Sequence, residues 1–190
     1  MSVEVRLPDA EATRAWGRAL AAVLRAGDLV VLTGGLGAGK TTLTQGLGEG
    51  LGVRGQVASP TFVIAREHPP LPRADGTRGP ALVHVDAYRL GSLDEVEALD
   101  LDSALDEAVT VVEWGAGWVE GLTEDRLEVV LQRPHGGVDD DVEDAAAGER
   151  VLTARGVGER WAGVGLPGAP DVVDGRHDRH DRSQDEEVAR

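Results

Sequence analysis

The sequence predicts an α/β fold: a mostly parallel central sheet flanked by helices, with a C-terminal antiparallel strand pair. A continuous apolar run at residues 29–32 and largely apolar runs at 81–85 and 109–112 are typical of parallel strands buried on both faces. The first run leads directly into G-G-L-G-A-G-K-T at residues 34–41, and helical spacing follows. This order of strand, glycine turn and helix carries the complete G-x-x-x-x-G-K-[ST] phosphate-loop pattern. The fold is therefore predicted to be P-loop NTPase-like.

Local signals define the N-terminal elements. Residues 3–7 alternate apolar and charged side chains before Pro8, which predicts a short edge strand. Asp9 is a suitable N-cap for the next helix, and Gly27 ends that helix as C-terminal glycines do.

The later elements are predicted in the same way. The helix expected at residues 41–51 is weakened by Gly46 and Gly48, because glycine is a poor helix former. Residues 61–66 are a strand candidate, and the proline- and glycine-rich residues 68–80 form a loop.

The last part of the predicted domain is acidic and β-rich. Residues 94–108 have acidic and apolar positions typical of short surface helices. Residues 127–131 and 151–154 are predicted to form the closing antiparallel pair, joined by the acidic segment 136–149.

The composition predicts a folded domain followed by a tail, and the net charge disfavours certain classes of binding partner. Residues 1–164 are predicted to form one P-loop domain, and residues 165–190 an acidic, disordered tail with few apolar side chains. A net charge of -15 disfavours direct binding of nucleic acid or of acidic membrane surfaces. There is no cysteine, no signal-peptide pattern and no apolar run of membrane length, so a cytoplasmic location is expected.

Lys40 is the one lysine among 19 basic residues, and the others are arginine. A compact ammonium fits between phosphate oxygens at a tight glycine turn, where a planar guanidinium does not. N–H groups of the loop and the positive end of the following helix complete the predicted phosphate site. Lys40 is predicted to be catalytic, and the Thr41 hydroxyl is predicted to bind Mg2+. The predicted nucleotide-binding residues are Gly34, Gly35, Leu36, Gly37, Ala38, Gly39, Lys40, Thr41 and Thr42. Thr42 is either a phosphate contact or an ordinary residue of the first helical turn.

Two acidic residues end apolar strands and are candidates for metal-binding and catalytic roles. Asp86, downstream of the phosphate loop, has the position of a Walker-B carboxylate; a solvated strand end is the alternative. The next residue is Ala87, so an acid that orients water must come from elsewhere. Glu113 ends another buried strand, where ligand chemistry in open α/β sheets gathers. The alternative for Glu113 is a partner of a surface arginine.

Several other residues are ambiguous. S-P-T at residues 59–61 marks either a turn or a mobile loop whose Thr61 hydroxyl senses Mg2+ or the γ-phosphate. Tyr88 and Trp114 lie close behind the two acids and are either site residues or core residues. His84 is predicted to be an ordinary sheet residue.

The motifs occur together in one order along the chain. They are L-P-D at residues 7–9, the loop at 34–42, S-P-T-F at 59–62, H-V-D-A-Y-R at 84–89, D-E-V-E at 94–97 and V-E-W at 112–114. In this combination, residues 3 to about 154 closely resemble the bacterial TsaE (YjeE) family. The resemblance implies a cytoplasmic P-loop ATPase needed for threonylcarbamoyladenosine, the modified adenosine beside the anticodon of certain tRNAs. It also implies that the protein binds TsaB and TsaD homologues, reaches tRNA through them and does not perform the transfer itself.

The resemblance also implies residue roles. ATP would lie on residues 36–41, with Mg2+ held by Thr41 and Glu113, Asp86 beside the metal and Trp114 lining the site. Two alternatives stay open: an ATP-gated binding module with negligible turnover, and a small-metabolite kinase. The sequence disfavours a GTPase, because the guanine-reading N-K-x-D motif is impossible in a chain with no asparagine and with Lys40 as its one lysine.

Overall fold

The structure is a computed structural model, and it describes residues 1–59, 65–89, 106–117, 119, 121, 123–134 and 148–170. The strands are β1 (Ser2–Leu7), β2 (Leu29–Thr33), β3 (Ala65–His68), β4 (Ala81–Asp86), β5 (Ala108–Glu113), β6 (Arg126–Gln132) and β7 (Arg150–Val157). The helices are α1 (Ala10–Ala21) and α2 (Lys40–Leu51), and short 3-10 helices follow β4 and β7 at Ala87–Arg89 and Glu159–Trp161. No helix in the described part of the chain is long and apolar enough to span a membrane.

Within the described residues, seven strands form one sheet in the order β1-β7-β6-β2-β5-β4-β3. The central strands β6, β2, β5 and β4 are parallel, whereas β1–β7, β7–β6 and β3–β4 pair antiparallel. The predicted closing antiparallel pair is confirmed as β6 and β7. The prediction of a mostly parallel sheet is only partly correct, since three of the six pairings are antiparallel. β3 returns to β4 through the loop at residues 69–80 without a helical crossover, so this pair is antiparallel.

The two described helices pack against each other over one face of the sheet. Trp16 and Leu20 of α1 join Leu43 and Leu47 of α2 in the larger apolar cluster, which includes Leu32 of the central strand. The opposite face carries a smaller apolar cluster from β2, β4 and β5. The acidic helices predicted at residues 94–108 lie largely outside the described residues, and Ala108 begins β5.

Glycines set the distance between α1 and α2. A Cβ atom on Gly46 would lie 2.1 Å from the carbonyl oxygen of Arg14, and one on Gly17 would lie 2.4 Å from that of Leu43. Gly46 weakens α2 as an isolated helix, but it also allows the backbones of α1 and α2 to approach each other.

The chain continues to contact the domain body after residue 164. Leu166 packs against the larger apolar cluster, and Trp16 Nε1 donates a hydrogen bond of 3.0 Å to the Pro167 carbonyl. Just before this segment, the Arg160 guanidinium makes hydrogen bonds of 2.9 and 2.8 Å to the two carboxylate oxygens of Asp28. Residues 171–190, most of the predicted tail, lie outside the described residues.

We predict that Gly46→Ala destabilises the fold. Overpacking costs roughly 1–3 kcal/mol, and an approach of 2.1 Å to a backbone oxygen places Gly46→Ala in the upper part of this range. The cost therefore exceeds the gain of about 1 kcal/mol from removing a helical glycine. Chemical unfolding measures the difference. As a control, Gly165→Ala should leave the midpoint unchanged, because its Cβ meets no described atom within 4 Å. Equal midpoints for Gly46→Ala and the wild type would show that the helices separate without cost.

Candidate nucleotide-binding site

The glycine loop, residues 34–41, joins the C-terminal end of β2 to the start of α2. Gly39 is the N-cap of α2 and has φ of 103°, in the left-handed region that favours glycine. Gly34 lies so close to β6 that a Cβ would be 2.5 Å from the Leu131 carbonyl oxygen. Because α2 begins at Lys40, its unpaired N-terminal N–H groups and the positive end of its dipole face this loop.

Lys40 is buried against the loop that precedes it. Its Nζ donates hydrogen bonds to the carbonyl oxygens of Gly34 and Gly35, at 2.9 and 3.0 Å. Burial lowers the pKa of Lys40, and the nearby carboxylates of Glu113 and Asp86 partly offset that effect. The ammonium group therefore lies between the loop and two acidic strand ends.

The Glu113 carboxylate connects three elements. Glu113 ends β5 and is 3% exposed. Its Oε1 accepts a hydrogen bond of 3.0 Å from the Thr41 hydroxyl at the start of α2. His84 Nε2 on β4 lies 2.9 Å from the same oxygen, a distance at which the ring N–H donates to the carboxylate.

His84 is therefore more than the ordinary sheet residue that its sequence context suggests. It is fully buried, and its second nitrogen, Nδ1, has no hydrogen-bond partner among the residues that the structure describes. The ring is held in the core with one nitrogen directed at Glu113. This interaction orients the carboxylate beside the glycine loop.

Asp86 lies beside Glu113, as expected for residues at the C-terminal ends of two neighbouring parallel strands. The two residues are direct partners in the register of β4 and β5. Asp86 is half-buried, and its Oδ1 accepts a hydrogen bond of 3.1 Å from the Tyr88 backbone N–H. This bond fixes the carboxylate at the start of the short 3-10 helix.

Trp114 follows Glu113 in an unusual backbone conformation. With φ of 62°, it is the one non-glycine residue with positive φ in the described part of the chain. Its backbone N–H donates a hydrogen bond of 3.0 Å to the Leu32 carbonyl oxygen, and this bond anchors the turn to the central strand. The ring lies 4.0 Å from Lys40 Nζ and 5.2 Å, between centroids, from the Tyr88 ring. Trp114 therefore lines the site and also packs on the smaller apolar cluster.

A cavity of about 650 Å³ lies between the glycine loop, the start of α2 and the C-terminal ends of β4 and β5. Residues 36–42 of the loop and helix line it together with Asp86, Glu113 and Trp114, and Arg150 of β7 borders it as well. The cavity brings together the predicted phosphate loop, including Thr42, and the predicted acids. Gly34 and Gly35 contribute through their carbonyls, which hold Lys40. Thr61, the candidate sensor, lies outside the described residues.

The donor atoms fit a hard divalent cation such as Mg2+. The Thr41 hydroxyl, the Glu113 carboxylate and the adjacent Asp86 carboxylate supply oxygen ligands, which Mg2+ prefers. Among the described residues, no group of three or more His, Cys, Asp or Glu side chains forms a metal cage. Two carboxylates and a hydroxyl suit Mg2+, which is usually bound by one or two carboxylates plus substrate phosphates.

The chain matches a known family over most of the domain that the sequence predicts. The profile described as "Threonylcarbamoyl adenosine biosynthesis protein TsaE" matches residues 7–138. This protein belongs to the TsaE family. The motif resemblance in the sequence is thereby confirmed.

Relatives of this TsaE-family protein cover most of its length. The protein named tRNA threonylcarbamoyladenosine biosynthesis protein TsaE from Streptomyces coelicolor is 62% identical over 150 residues, which cover 78% of this chain and 93% of the relative. The Bacillus subtilis protein of the same name is 38% identical over 157 residues, covering 82% and 87% of the two chains. The crystal structure of Bacillus subtilis YdiB matches with a TM-score of 0.60 at 34% identity, covering 85% of this chain and 90% of that one.

We predict that His84 and Glu113 are energetically coupled in this TsaE-family fold. His84→Phe keeps an aromatic ring but removes the donor to a buried carboxylate, a loss that costs about 1–3 kcal/mol. In a double-mutant cycle with Glu113→Ala, measured by chemical unfolding, the combined loss should be smaller than the sum of the single losses.

The control for this cycle pairs His84→Phe with Arg155→Ala, an exposed position on β7. Those two effects should add, since the two side chains have no hydrogen-bond partner in common among the residues that the structure describes. Additive effects of His84→Phe and Glu113→Ala would contradict the coupling.

Proposed function

We propose that this TsaE-family protein is a Mg2+-dependent ATPase that acts in the formation of threonylcarbamoyladenosine in tRNA. In this proposal it works with TsaB and TsaD homologues and does not perform the transfer itself. The observation that carries the proposal is the convergence, at one cavity, of Lys40 and the α2 N-terminus with the carboxylates of Glu113 and Asp86.

The loop supplies the proposed binding energy for the phosphates. N–H groups at the start of α2 are directed toward an anion at the loop, where the helix dipole is positive. The Lys40 ammonium lies at the same place and can exchange its carbonyl partners for phosphate oxygens. Trp114, packed against Lys40, forms an apolar wall beside these charges.

The acids supply the proposed catalytic groups. Thr41, Asp86 and Glu113 would hold Mg2+, which would offset the negative charge that develops on the phosphate oxygens. In hydrolysis, water attacks the γ-phosphorus, the bond to the β-γ bridging oxygen breaks, and a proton leaves the water. Glu113 is the proposed acceptor of that proton, and its hydrogen bonds to Thr41 and His84 hold it in place.

Family membership and charge support the proposed biological role. The family and its relatives are named for threonylcarbamoyladenosine biosynthesis. The net charge of -15 opposes direct contact with a tRNA backbone, which favours protein partners as the route to the tRNA.

One observation favours a second candidate, an ATP-gated binding module with negligible turnover. Ala87 is buried directly after Asp86, so no acid orients water from that position. ATP consumption with and without TsaB and TsaD distinguishes the two functions. Partner-stimulated release of phosphate supports the ATPase, and tight ATP binding without consumption supports the module. Transfer of the phosphate to a small acceptor would instead indicate a kinase.

We predict that Lys40→Ala abolishes ATP binding detectable by calorimetry and keeps the fold. The substitution removes a cation at the phosphate site without changing the packing of the two apolar clusters. Arg155→Ala removes an exposed cation from β7 and should bind ATP like the wild type. Wild-type ATP affinity in Lys40→Ala would refute the site assignment.

We predict that Glu113→Ala and Asp86→Ala each suppress ATP hydrolysis far more than ATP binding. The loop amides and Lys40 still hold the phosphates, but the charge needed in the transition state is lost. Both variants should also fail in a reconstituted assay with TsaB, TsaD, tRNA and the activated threonylcarbamoyl donor. Glu67→Ala, which removes an exposed carboxylate on β3, is the control. Wild-type multiple turnovers from either variant would favour the binding module.

A further inference from the structure

The two oxygens of the Glu113 carboxylate have different surroundings. Oε1 accepts the hydrogen bond from the Thr41 hydroxyl and lies 2.9 Å from His84 Nε2. Oε2 accepts no hydrogen bond within the described part of the chain, and it keeps some accessible surface. Because Glu113 lines the cavity, Oε2 is the oxygen that remains available to a ligand there.

Both donors to Oε1 give it a hydrogen. A carboxylate oxygen accepts and does not donate, so the hydrogen of the contact with His84 lies on Nε2. The Thr41 hydroxyl has a single hydrogen, and it donates this hydrogen to the same oxygen. A carboxylate has about four lone-pair sites on its two oxygens, so two donors fill Oε1. Further chemistry of Glu113 is therefore left to Oε2.

Two donors on separate elements fix the rotation of the Glu113 carboxylate. The terminal torsion of a glutamate side chain has a broad energy well and does not fix the group by itself. With the Thr41 hydroxyl as the only donor, rotation can exchange the two oxygens, since either of them can accept. The His84 ring is fully buried on the neighbouring strand β4, so its donor has a fixed position. His84 therefore determines which oxygen faces the cavity.

The same contact directs the Thr41 hydroxyl. Its hydrogen points at Oε1 of Glu113, which leaves the lone pairs of the hydroxyl oxygen for a cation. If the carboxylate turned, the hydroxyl would lose this fixed acceptor. Hydrogen bonds that act on a metal site through its ligands commonly change metal affinity or activity. The orientation of Thr41 thus depends on His84 through Glu113.

Packing alone does not account for a histidine at this position. Nδ1 of His84 is buried and has no hydrogen-bond partner among the residues that the structure describes, which is unfavourable. An apolar side chain of similar size would fill the same space without this cost. The property that distinguishes histidine from such a side chain here is the donor to Glu113.

We propose that His84 is a positioning residue, which holds Glu113 with Oε2 toward the cavity and, through Glu113, directs the Thr41 hydroxyl. The inference rests on the proposed Mg2+-dependent function and adds a requirement for the Nε2 donor. His84 is not among the described residues that line the cavity, so it acts through Glu113. Loss of the donor slows hydrolysis and weakens the effect of Mg2+ on ATP binding, but it leaves binding without Mg2+ unchanged.

The deciding variants are His84→Gln and His84→Met, which have similar size but differ in the amide N–H that Gln supplies. In the ATPase assay, His84→Met should lower kcat about tenfold or more. In calorimetric titrations, the gain in ATP affinity on adding Mg2+ should shrink by a similar factor, whereas the affinity in EDTA should match the wild type. His84→Gln should keep both quantities within about threefold of the wild type, because the donor remains.

His68 provides the matched control. It is a second buried histidine, on the neighbouring strand β3, and its Nδ1 lies 3.4 Å from the Arg54 carbonyl oxygen. His68→Met should leave kcat and the effect of Mg2+ unchanged, even if stability falls. A buried histidine away from the cavity thereby separates a loss of stability from a loss of positioning.

The outcomes separate this inference from the proposed function. Wild-type kcat and a wild-type Mg2+ effect in folded His84→Met would overturn the role of His84 alone. Equal losses in His84→Gln and His84→Met would also overturn it, because the ring and not its donor would then matter. If the wild type binds ATP without hydrolysing it, the Mg2+ effect decides. If the wild type does not bind ATP, the proposed function itself fails.

A measurement on the nucleotide-free protein applies if His84→Met does not fold. The Nε2–H signal of His84 in the NMR spectrum of the wild type can be assigned by its loss in His84→Gln. Glu113→Gln keeps the shape of the carboxylate and removes its charge, so this signal should move upfield as the hydrogen bond weakens. An unchanged signal in Glu113→Gln would overturn the inference.

Discussion

The site depends on one oxygen atom, Oε1 of Glu113. It belongs to β5, accepts from Thr41 at the start of α2 and lies within hydrogen-bond distance of His84 on β4. These elements converge because β2, β5 and β4 are parallel neighbours, so their C-terminal ends share one edge of the sheet. A buried carboxylate without partners is costly, so the bonds that orient Glu113 also stabilise the junction between sheet and helix. Stability and site geometry thus depend on the same contacts.

The sequence predicts the centre of the fold better than its edges. Short, largely apolar runs identify β2, β4 and β5 because burial on both faces is visible in the local pattern. Strand direction at the edges depends instead on the connection, and β3, with two exposed residues of four, carries little apolar signal. The helix glycines illustrate the same limit. The cost of glycine to an isolated helix can be predicted from the sequence. The close approach of Gly46 to Arg14 cannot, because it arises only when the two helices pack.

In the candidate site, too, the sequence predicts the residues that belong to local motifs better than those whose partners are distant in sequence. The glycine loop is a contiguous motif, and Asp86 and Glu113 follow from the rule that parallel strand ends meet. His84 and Arg150 were missed because their partners are distant in sequence. Strand alternation offered one signal for His84: it lies two residues before Asp86 and opposite Val111, hence on the face that Glu113 also uses. Arg150 has no comparable signal, since its position beside Gly39 depends on the return of β7 across the sheet.

The pairing of β1 with β7 has a consequence for biosynthesis. Ser2 pairs with Arg155, so β1 has no partner until β7, the last described strand, has been made. β2 likewise waits for β5 and β6, both of which follow it by many residues. Such long-range pairing gives a high contact order, and loop-closure entropy must be overcome before these contacts form. The glycine loop is therefore synthesised before β5 and β6, the two strands that flank β2 in the sheet.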